Sequence, residues 1–264
     1  MKGDLMKEFE PRILAFLCNW AGYAAYDLAG AKCLRLPPIL EVRVMCTGRV
    51  DPSQLIEALL DGCDGVMLVG CRKGECRYEN GNYYAERRIY WVRKALEHVG
   101  IRPERLHCNW IGADDEQAFK SAMEEFNAKV ASLGRLGEAD GVEKGELESR
   151  LKTLKEVFSG ERMRWLAGKD LEMSGGTDVF GNQVSRDVFE NEVMDIFRSE
   201  YERSRILVAS GDAARSVAEI ARMTAISSET VLREIIILKR QGKLFLEGIV
   251  EGAPQYRRVQ LVNG

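Results

Sequence analysis

Over the first 134 residues the apolar and polar positions switch between two periods, one suited to strands and the other to helices. Arg12 to Asn19 (R-I-L-A-F-L-C-N) is a short apolar run, followed by an Ala-rich helical stretch from Tyr23 to Lys32. Leu40 to Cys46 alternates apolar with polar residues. Asp51, Pro52 and Gln54 then supply a cap, a first-turn proline and a third-position partner for a helix that carries Leu55, Ile56, Leu59 and Leu60 on one face and stops at Gly62. Gly65 to Cys71 (G-V-M-L-V-G-C) is apolar throughout, as a strand covered on both faces should be. A helix is predicted over 83–99, with Ile89, Val92, Ala95, Leu96 and Val99 inward and Gly100 as its stop. A fourth strand follows over 105–111. Asp114 then opens a helix that places Phe119, Met123, Phe126, Val130 and Leu133 together.

Four strand-then-helix units predict an α/β fold, a small flavodoxin-like parallel sheet with flanking helices and right-handed crossovers. The ligand site of such a sheet lies beyond the carboxyl ends of its strands. Cys18, Cys46 and Cys71 end the first three strands, and Cys76 follows Cys71 in a C-x4-C spacing that includes Gly74. Neighbouring strands are ~4.8 Å apart, so a spatial order of 2-1-3-4 puts Cys46, Cys18 and Cys71 in a row that Cys76 can curl over. Four thiolates are what a 2Fe-2S cluster asks for, and Gly48, Gly70 and Gly74 would let backbone N–H groups approach its sulfurs. Arg49, Arg72, Lys73 and Arg77 add positive charge at the same place. A structural zinc on the same thiolates, or unrelated buried cysteines, are the alternatives. Cys33, Cys63 and Cys108 are expected to be packing residues. His98 and His107 have no second ligand at metal-binding spacing and are assigned surface or core roles.

Composition changes this picture little. Of 264 residues 45% are apolar and 30% charged, with 38 basic against 41 acidic side chains, which excludes a basic nucleic-acid coat over the whole chain. No apolar run approaches the ~18 residues of a membrane helix, so no membrane insertion is expected. Met1 to Pro11 lacks the apolar core of a secretory signal. A cytoplasmic location is therefore expected, and in that reducing compartment seven cysteines, an odd number, are not expected to form a disulfide framework. Hydrolase, P-loop and dinucleotide motifs are missing.

Downstream of residue 134 the character changes. The predicted division is a 2Fe-2S-binding electron-transfer domain at 1–134, a helical linker region at 135–206 and a winged-helix-like domain at 207–264. The linker holds 12 basic and 16 acidic side chains. It shows one helical stretch over 147–166, a joint at Ser174 to Thr177, and a helix-like pattern over 178–205. Ser216 to Ala225, a short turn, and Glu229 to Gln241 read as a helix-turn-helix, and Leu244 to Val259, broken at Gly252 to Pro254, as a two-stranded wing. With 8 basic and 6 acidic side chains there, and with Glu229 and Glu234 beside Arg233, a protein partner is favoured over DNA. On α-helical spacing Val231, Leu232, Ile235, Ile236 and Leu238 share one arc, and Ile237 is expected to be exposed on the far side.

The motifs F-L-C-N-W at 16–20, V-M-C-T-G-R-V-D-P at 44–52, G-C-R-K-G-E-C-R-Y at 70–78 and G-N-Y-Y-A-E-R-R at 81–88 resemble the delta subunit family of methyl-viologen-reducing hydrogenase, over about residues 10–134. The resemblance implies a 2Fe-2S electron-transfer subunit that docks on the flavin-bearing, A-like component of a heterodisulfide reductase. It would pass electrons between that flavin and a donor oxidoreductase such as a hydrogenase or formate dehydrogenase. Where the family usually has C-N-W-C, this chain has Ala21, which leaves Cys18, Cys46, Cys71 and Cys76 as a set of four without a spare. The alternative function is an iron-sulfur redox-responsive regulator that binds DNA through the winged helix.

Overall fold

The computed structural model describes residues 9–173, 181, 183, 185–211 and 213–259. Its first part is a four-stranded parallel sheet of β1 (Ile13–Cys18), β2 (Leu40–Val44), β3 (Gly65–Cys71) and β4 (Leu106–Ile111), in the expected order β2-β1-β3-β4. The register pairs Cys18 with Val44 and Cys71 with Ile111, so the strands end level on one rim. β3 is buried at every residue because helices cover both faces, whereas β2, at the edge, is mostly exposed.

One face of the sheet carries α1 (Gly22–Ala31) and α4 (Glu116–Leu133), packed through Ala25, Phe119, Met123, Phe126 and Val130 against Leu17, Met67 and Val69. The other face carries α2 (Pro52–Leu60) and α3 (Gly81–His98). The cap of α2 is the predicted box: Asp51 accepts from Ser53 N and Gln54 reaches back to Asp51 N at 2.9 Å. The cap of α4 is Asp115 rather than Asp114, because it is the Asp115 side chain that meets Ala118 N. The glycine stops at 62 and 100 have positive φ, a region that favours a residue without a side chain.

The segment after residue 134 folds against this domain. It forms α5 (Lys144–Ser159), α6 (Glu161–Met173) and α7 (Arg186–Ser210). The single stretch predicted over 147–166 is two helices, broken where Gly160 takes an extended conformation. Leu154, Phe158, Met163, Phe189, Val193 and Phe197 join Leu55, Ile56, Ile89 and Leu96 in one core. Charges fasten the same contact: buried Arg105 holds Asp140 at 2.8 Å, and buried Asp64 accepts from Leu136 N. The predicted joint at Ser174 to Thr177 lies outside the described residues, as do most of the first eleven residues and the start of the helix-like pattern at 178–205.

The 25-residue α7 runs on into the last unit, where Ile206 and Leu207 pack with α8 (Val217–Thr224) and α9 (Ser228–Arg240). There β5 (Arg215–Ser216), β6 (Leu244–Val250) and β7 (Ala253–Arg258) form an antiparallel sheet in the order β5-β7-β6. On α9 only Val231, Ile235 and Leu238 of the apolar residues are fully buried, at spacings of four and three. Leu232 and Ile236 are exposed (44% and 45%), and Ile237 is half-buried. The buried stripe is narrower than the expected arc because α9 meets its neighbours along one seam. Glu234 is buried too, drawn in by Arg203 of α7 at 2.7 Å, so it adds no negative charge to the outer face.

Candidate metal centre

Three strands deliver cysteines to the same rim. Cys18 is the last residue of β1 and Cys71 the last of β3, its neighbour, and their sulfurs stand 3.7 Å apart. Cys46 follows β2 and precedes a short turn of 3-10 helix at Thr47–Arg49. Cys76 lies in the loop before α3 and packs against Cys18, Ala21 and Cys71. Cys46 and Cys76 converge over Gly81, the first residue of α3: a Cβ there would overlap Cys46 Sγ and stand 3.2 Å from Cys76 Sγ. All four expected thiols are thus brought together, as one pair on β1 and β3 and a second over the start of α3. Among the described residues no group of three or more His, Cys, Asp or Glu side chains is drawn tightly enough to hold a metal ion.

The surroundings prepare one thiolate. The hydrogen bond between the Cys18 and Cys71 sulfurs lowers Cys18 to about 6; burial opposes this, and the backbone N–H groups of Trp20, Ala21 and Thr47 add to the lowering. The same bond, followed by burial, pushes Cys71 upward. Burial raises Cys46 to about 11 against the Gly48 N–H, with the Cys76 and Cys18 thiols adding to the rise. Backbone N–H groups aimed at sulfur are what an anionic thiolate cradle requires.

Several supporting residues carry no signal in strand or helix patterning. Asn82, 1% exposed, donates to the carbonyl oxygens of Cys71 and Arg72 at 3.0 and 2.9 Å and ties the cysteine loop to α3. Arg88 donates to the carbonyl oxygens of Gly48 and Val50, which holds the Cys46 turn against the same helix. Gly48 is there for space, since a Cβ would sit 2.6 Å from Gly81 O. The G-N-Y-Y-A-E-R-R motif contains Asn82 and Arg88, but its pattern gives no reason for them.

Other expected features are corrected. At Gly70 a Cβ would meet the Trp110 ring at 2.6 Å, so this glycine serves packing, and Gly74 serves a turn with φ +82° in open space. Of the four cations, Arg72 pairs with Asp115 at 2.9 Å and Lys73 pairs with Glu86, whereas Arg77 stacks 4.2 Å above Trp20. Arg49 is exposed beside Cys46 in a cleft of about 680 Å³ that also includes Met45, Tyr78 and Tyr84. A second cleft, about 460 Å³, opens between Trp20, Cys71, Arg77 and Ile111. Cys33 is not a packing residue: it is exposed with φ +53° in the turn after α1. Cys63 is buried and Cys108 half-buried, each raised by burial. His98 meets Phe197 and Tyr201 edge-on, each at 5.4 Å, and His107 stacks on Phe126.

A four-stranded parallel α/β domain whose strand ends gather four thiols defines a class, and comparison with known proteins supplies the family. Residues 13–134 match the family model of the methyl-viologen-reducing hydrogenase, delta subunit. Over 131 residues the chain is 43% identical to the iron-sulfur subunit of the F420-non-reducing hydrogenase of Archaeoglobus profundus, covering 96% of that protein and 49% of this one. It is 37% identical over 131 residues to the vhc iron-sulfur subunit of the F420-non-reducing hydrogenase of Methanococcus voltae, covering 91% of it and again 49% of this chain. A third relative is the A polypeptide of the ferredoxin/F420H2-dependent CoB-CoM heterodisulfide reductase of Methanosarcina acetivorans, 40% identical over 128 residues, which are 48% of this chain and 16% of that one. The chain belongs to the methyl-viologen-reducing hydrogenase delta subunit family, and the family match ends where α4 ends.

Proposed function

We propose that Cys18, Cys46, Cys71 and Cys76 hold a 2Fe-2S cluster and that the protein is an electron-transfer subunit. The pairing of the thiols carries this reading. A single zinc with bonds of ~2.3 Å wants four sulfurs mutually ~3.8 Å apart. A two-iron cluster takes two thiolates per iron. Cys18 with Cys71 at 3.7 Å meets either demand, Cys46 with Cys76 over Gly81 supplies the second pair that two irons need, and the iron-sulfur names of the relatives favour iron over zinc. When bound, the cluster supplies one-electron chemistry at the rim of the sheet.

The relatives named as iron-sulfur subunits support the cofactor. Those named as the A polypeptide of heterodisulfide reductase, which hold this domain inside a longer chain, support the partner. The protein would relay electrons between a donor oxidoreductase and the flavin-bearing component of a heterodisulfide reductase-like complex. Exposed Trp20, Met45 and Tyr78 beside the thiols, with Leu40 and Val42 on the open edge of β2, offer an apolar rim for such a partner. Among the described residues no helix is long and apolar enough to cross a membrane, and the free thiols fit a cytoplasmic setting.

In this reading residues 1–134 carry the electrons, 135–206 brace them, and 207–264 are a winged-helix docking module. The order α7, β5, α8, α9, β6, β7 agrees with that fold. Exposed Leu246, Ile249 and Val250 make the β6–β7 hairpin apolar, and its charges balance, Glu247 being paired with Arg257 at 3.0 Å, so it favours a protein over DNA. Anaerobic purification with iron and acid-labile sulfide analysis tests the cluster. About two irons and two sulfides per chain are expected, lost in Cys71→Ser. One zinc without sulfide would overturn it.

A further inference from the structure

The outer side of α9 has a charge order that complements itself when reversed. At about 100° per residue Glu229, Leu232, Ile236, Lys239 and Arg240 fall within one arc of the helix, and all five are exposed. The acid is in the first turn, the two aliphatic residues are in the middle, and the cations are in the last turn. Among the described residues none of Glu229, Lys239 and Arg240 forms an ion pair; Lys239 Nζ lies 5.7 Å from the Tyr256 ring centroid. Leu232 and Ile236 are each more than two-fifths exposed, although Val231, Ile235 and Leu238 already fill the inner seam.

We propose that α9 is a docking surface for α9 of a second copy of this chain, the two helices packed antiparallel about a two-fold axis between Leu232 and Ile236. In that arrangement Leu232 of each copy meets Ile236 of the other, and Glu229 of each meets Lys239 and Arg240 of the other, so every contact occurs twice. A parallel pairing would set acid on acid and cations on cations. DNA would find cations at Arg233, Lys239 and Arg240, but it would set phosphates against Glu229 and leave the exposed Leu232 and Ile236 at the centre of the face without an apolar partner. The charge order selects the antiparallel copy, and the small apolar centre makes the association modest in strength. The inference rests on the surface of the last unit alone and stands or falls independently of the cluster.

Sedimentation velocity of the full chain over a concentration series tests it. The expected result is a concentration-dependent dimer that Ile236→Glu converts to monomer. Glu229→Lys alone, and Lys239→Glu with Arg240→Glu, should each weaken the dimer by roughly tenfold or more. Combining all three changes should restore it, because the charge order is then inverted but still self-complementary. Circular dichroism of these surface variants should match the parent. A monomer at every concentration, a dimer indifferent to Ile236→Glu, or charge reversals that fail to rescue one another would overturn the proposal. So would a duplex DNA complex that Arg240→Glu abolishes while the chain stays monomeric.

Discussion

Arg87 and Asp170, 83 residues apart, form a two-pronged buried ion pair, Nε to Oδ1 at 2.7 Å and Nη2 to Oδ2 at 3.0 Å. Trp91 Nε1 donates to the same carboxylate at 2.6 Å, and Arg87 Nη2 also reaches Glu190 at 2.8 Å. Arg87 and Trp91 lie on α3, which starts at the thiols; Asp170 and Glu190 lie on α6 and α7, outside the family match. The added helices are therefore joined to the cysteine-bearing domain by desolvated charge as well as by apolar contact.

Asp170→Ala leaves a buried guanidinium and an indole N–H without their acceptor. It should cost about 3–5 kcal/mol, the range for removing one partner of a buried pair. Replacing both members, as Arg87→Met with Asp170→Leu, should recover part of that loss because the buried guanidinium goes with its acid, while the Trp91 indole N–H still lacks an acceptor and Glu190 keeps only Tyr90 and Arg186. Urea unfolding of the single and double variants measures the difference, and a single-variant cost below about 1 kcal/mol would show the pair to be dispensable.

The same network should give stability two pH limbs. Burial alone would raise the Glu190 carboxyl, but hydrogen bonds from Tyr90, Arg87 and Arg186 outweigh it and hold it below the usual value. Its contribution is therefore present above about pH 4.3 and is lost as pH falls through its lower folded value. Tyr90 moves the other way, pushed up to about 12 by burial and then by its bond to Glu190. Its contribution is complete below about pH 10 and disappears as pH rises toward the folded value. In thermal melts across pH, Glu190→Gln should flatten the acid limb and Tyr90→Phe the alkaline one.

How legible these features are depends on whether their cause is local. The apolar runs of β1 and β3, the Asp51 capping box and the spacing of Phe119, Phe126 and Val130 are local, and they lead to the sheet order and the rim where Cys18 and Cys71 meet. Asp170 and Glu190 look like members of an acidic linker until tertiary contact with Arg87 shows them as partners. Glu234 is deceptive in the same way, because Arg203, 31 residues earlier, draws it inward. Around the thiols, Asn82 and Arg88 act on backbone carbonyls, and such bonds leave no periodic trace.

Gly81 needs the absence of a side chain rather than an unusual backbone, since its φ is not among the positive ones. Gly81→Ala would press a methyl group into Cys46 Sγ while leaving the helix start otherwise suitable. The expected outcome is a fold intact by circular dichroism, destabilised by about 1–3 kcal/mol, with iron and sulfide content well below the parent's. Gly74→Ala makes the contrast: it strains a positive φ but faces open space, so it should cost stability and leave iron content near normal. Equal iron loss in both variants would mean that loop strain, and not the Gly81 contact, governs the thiols.

Truncation after residue 134 separates the contribution of the added helices from that of the sheet. It removes Leu154, Phe158, Met163 and Phe197 from the core they share with Leu55, Ile56, Ile89 and Leu96, and it takes Asp140 from buried Arg105. Each fully uncovered aliphatic or aromatic side chain forfeits ~1.5–3 kcal/mol, and a buried arginine without its acid adds more. The truncated chain should therefore bind a hydrophobic dye and self-associate at concentrations where the parent stays dispersed. Grafting Glu onto Ile56 and Ile89 of the truncated form should not rescue it, because both belong to the core that also includes Phe16, Val66 and Leu68 of the sheet. A stable, dispersed 1–134 fragment would instead show that α2 and α3 tolerate an open outer face.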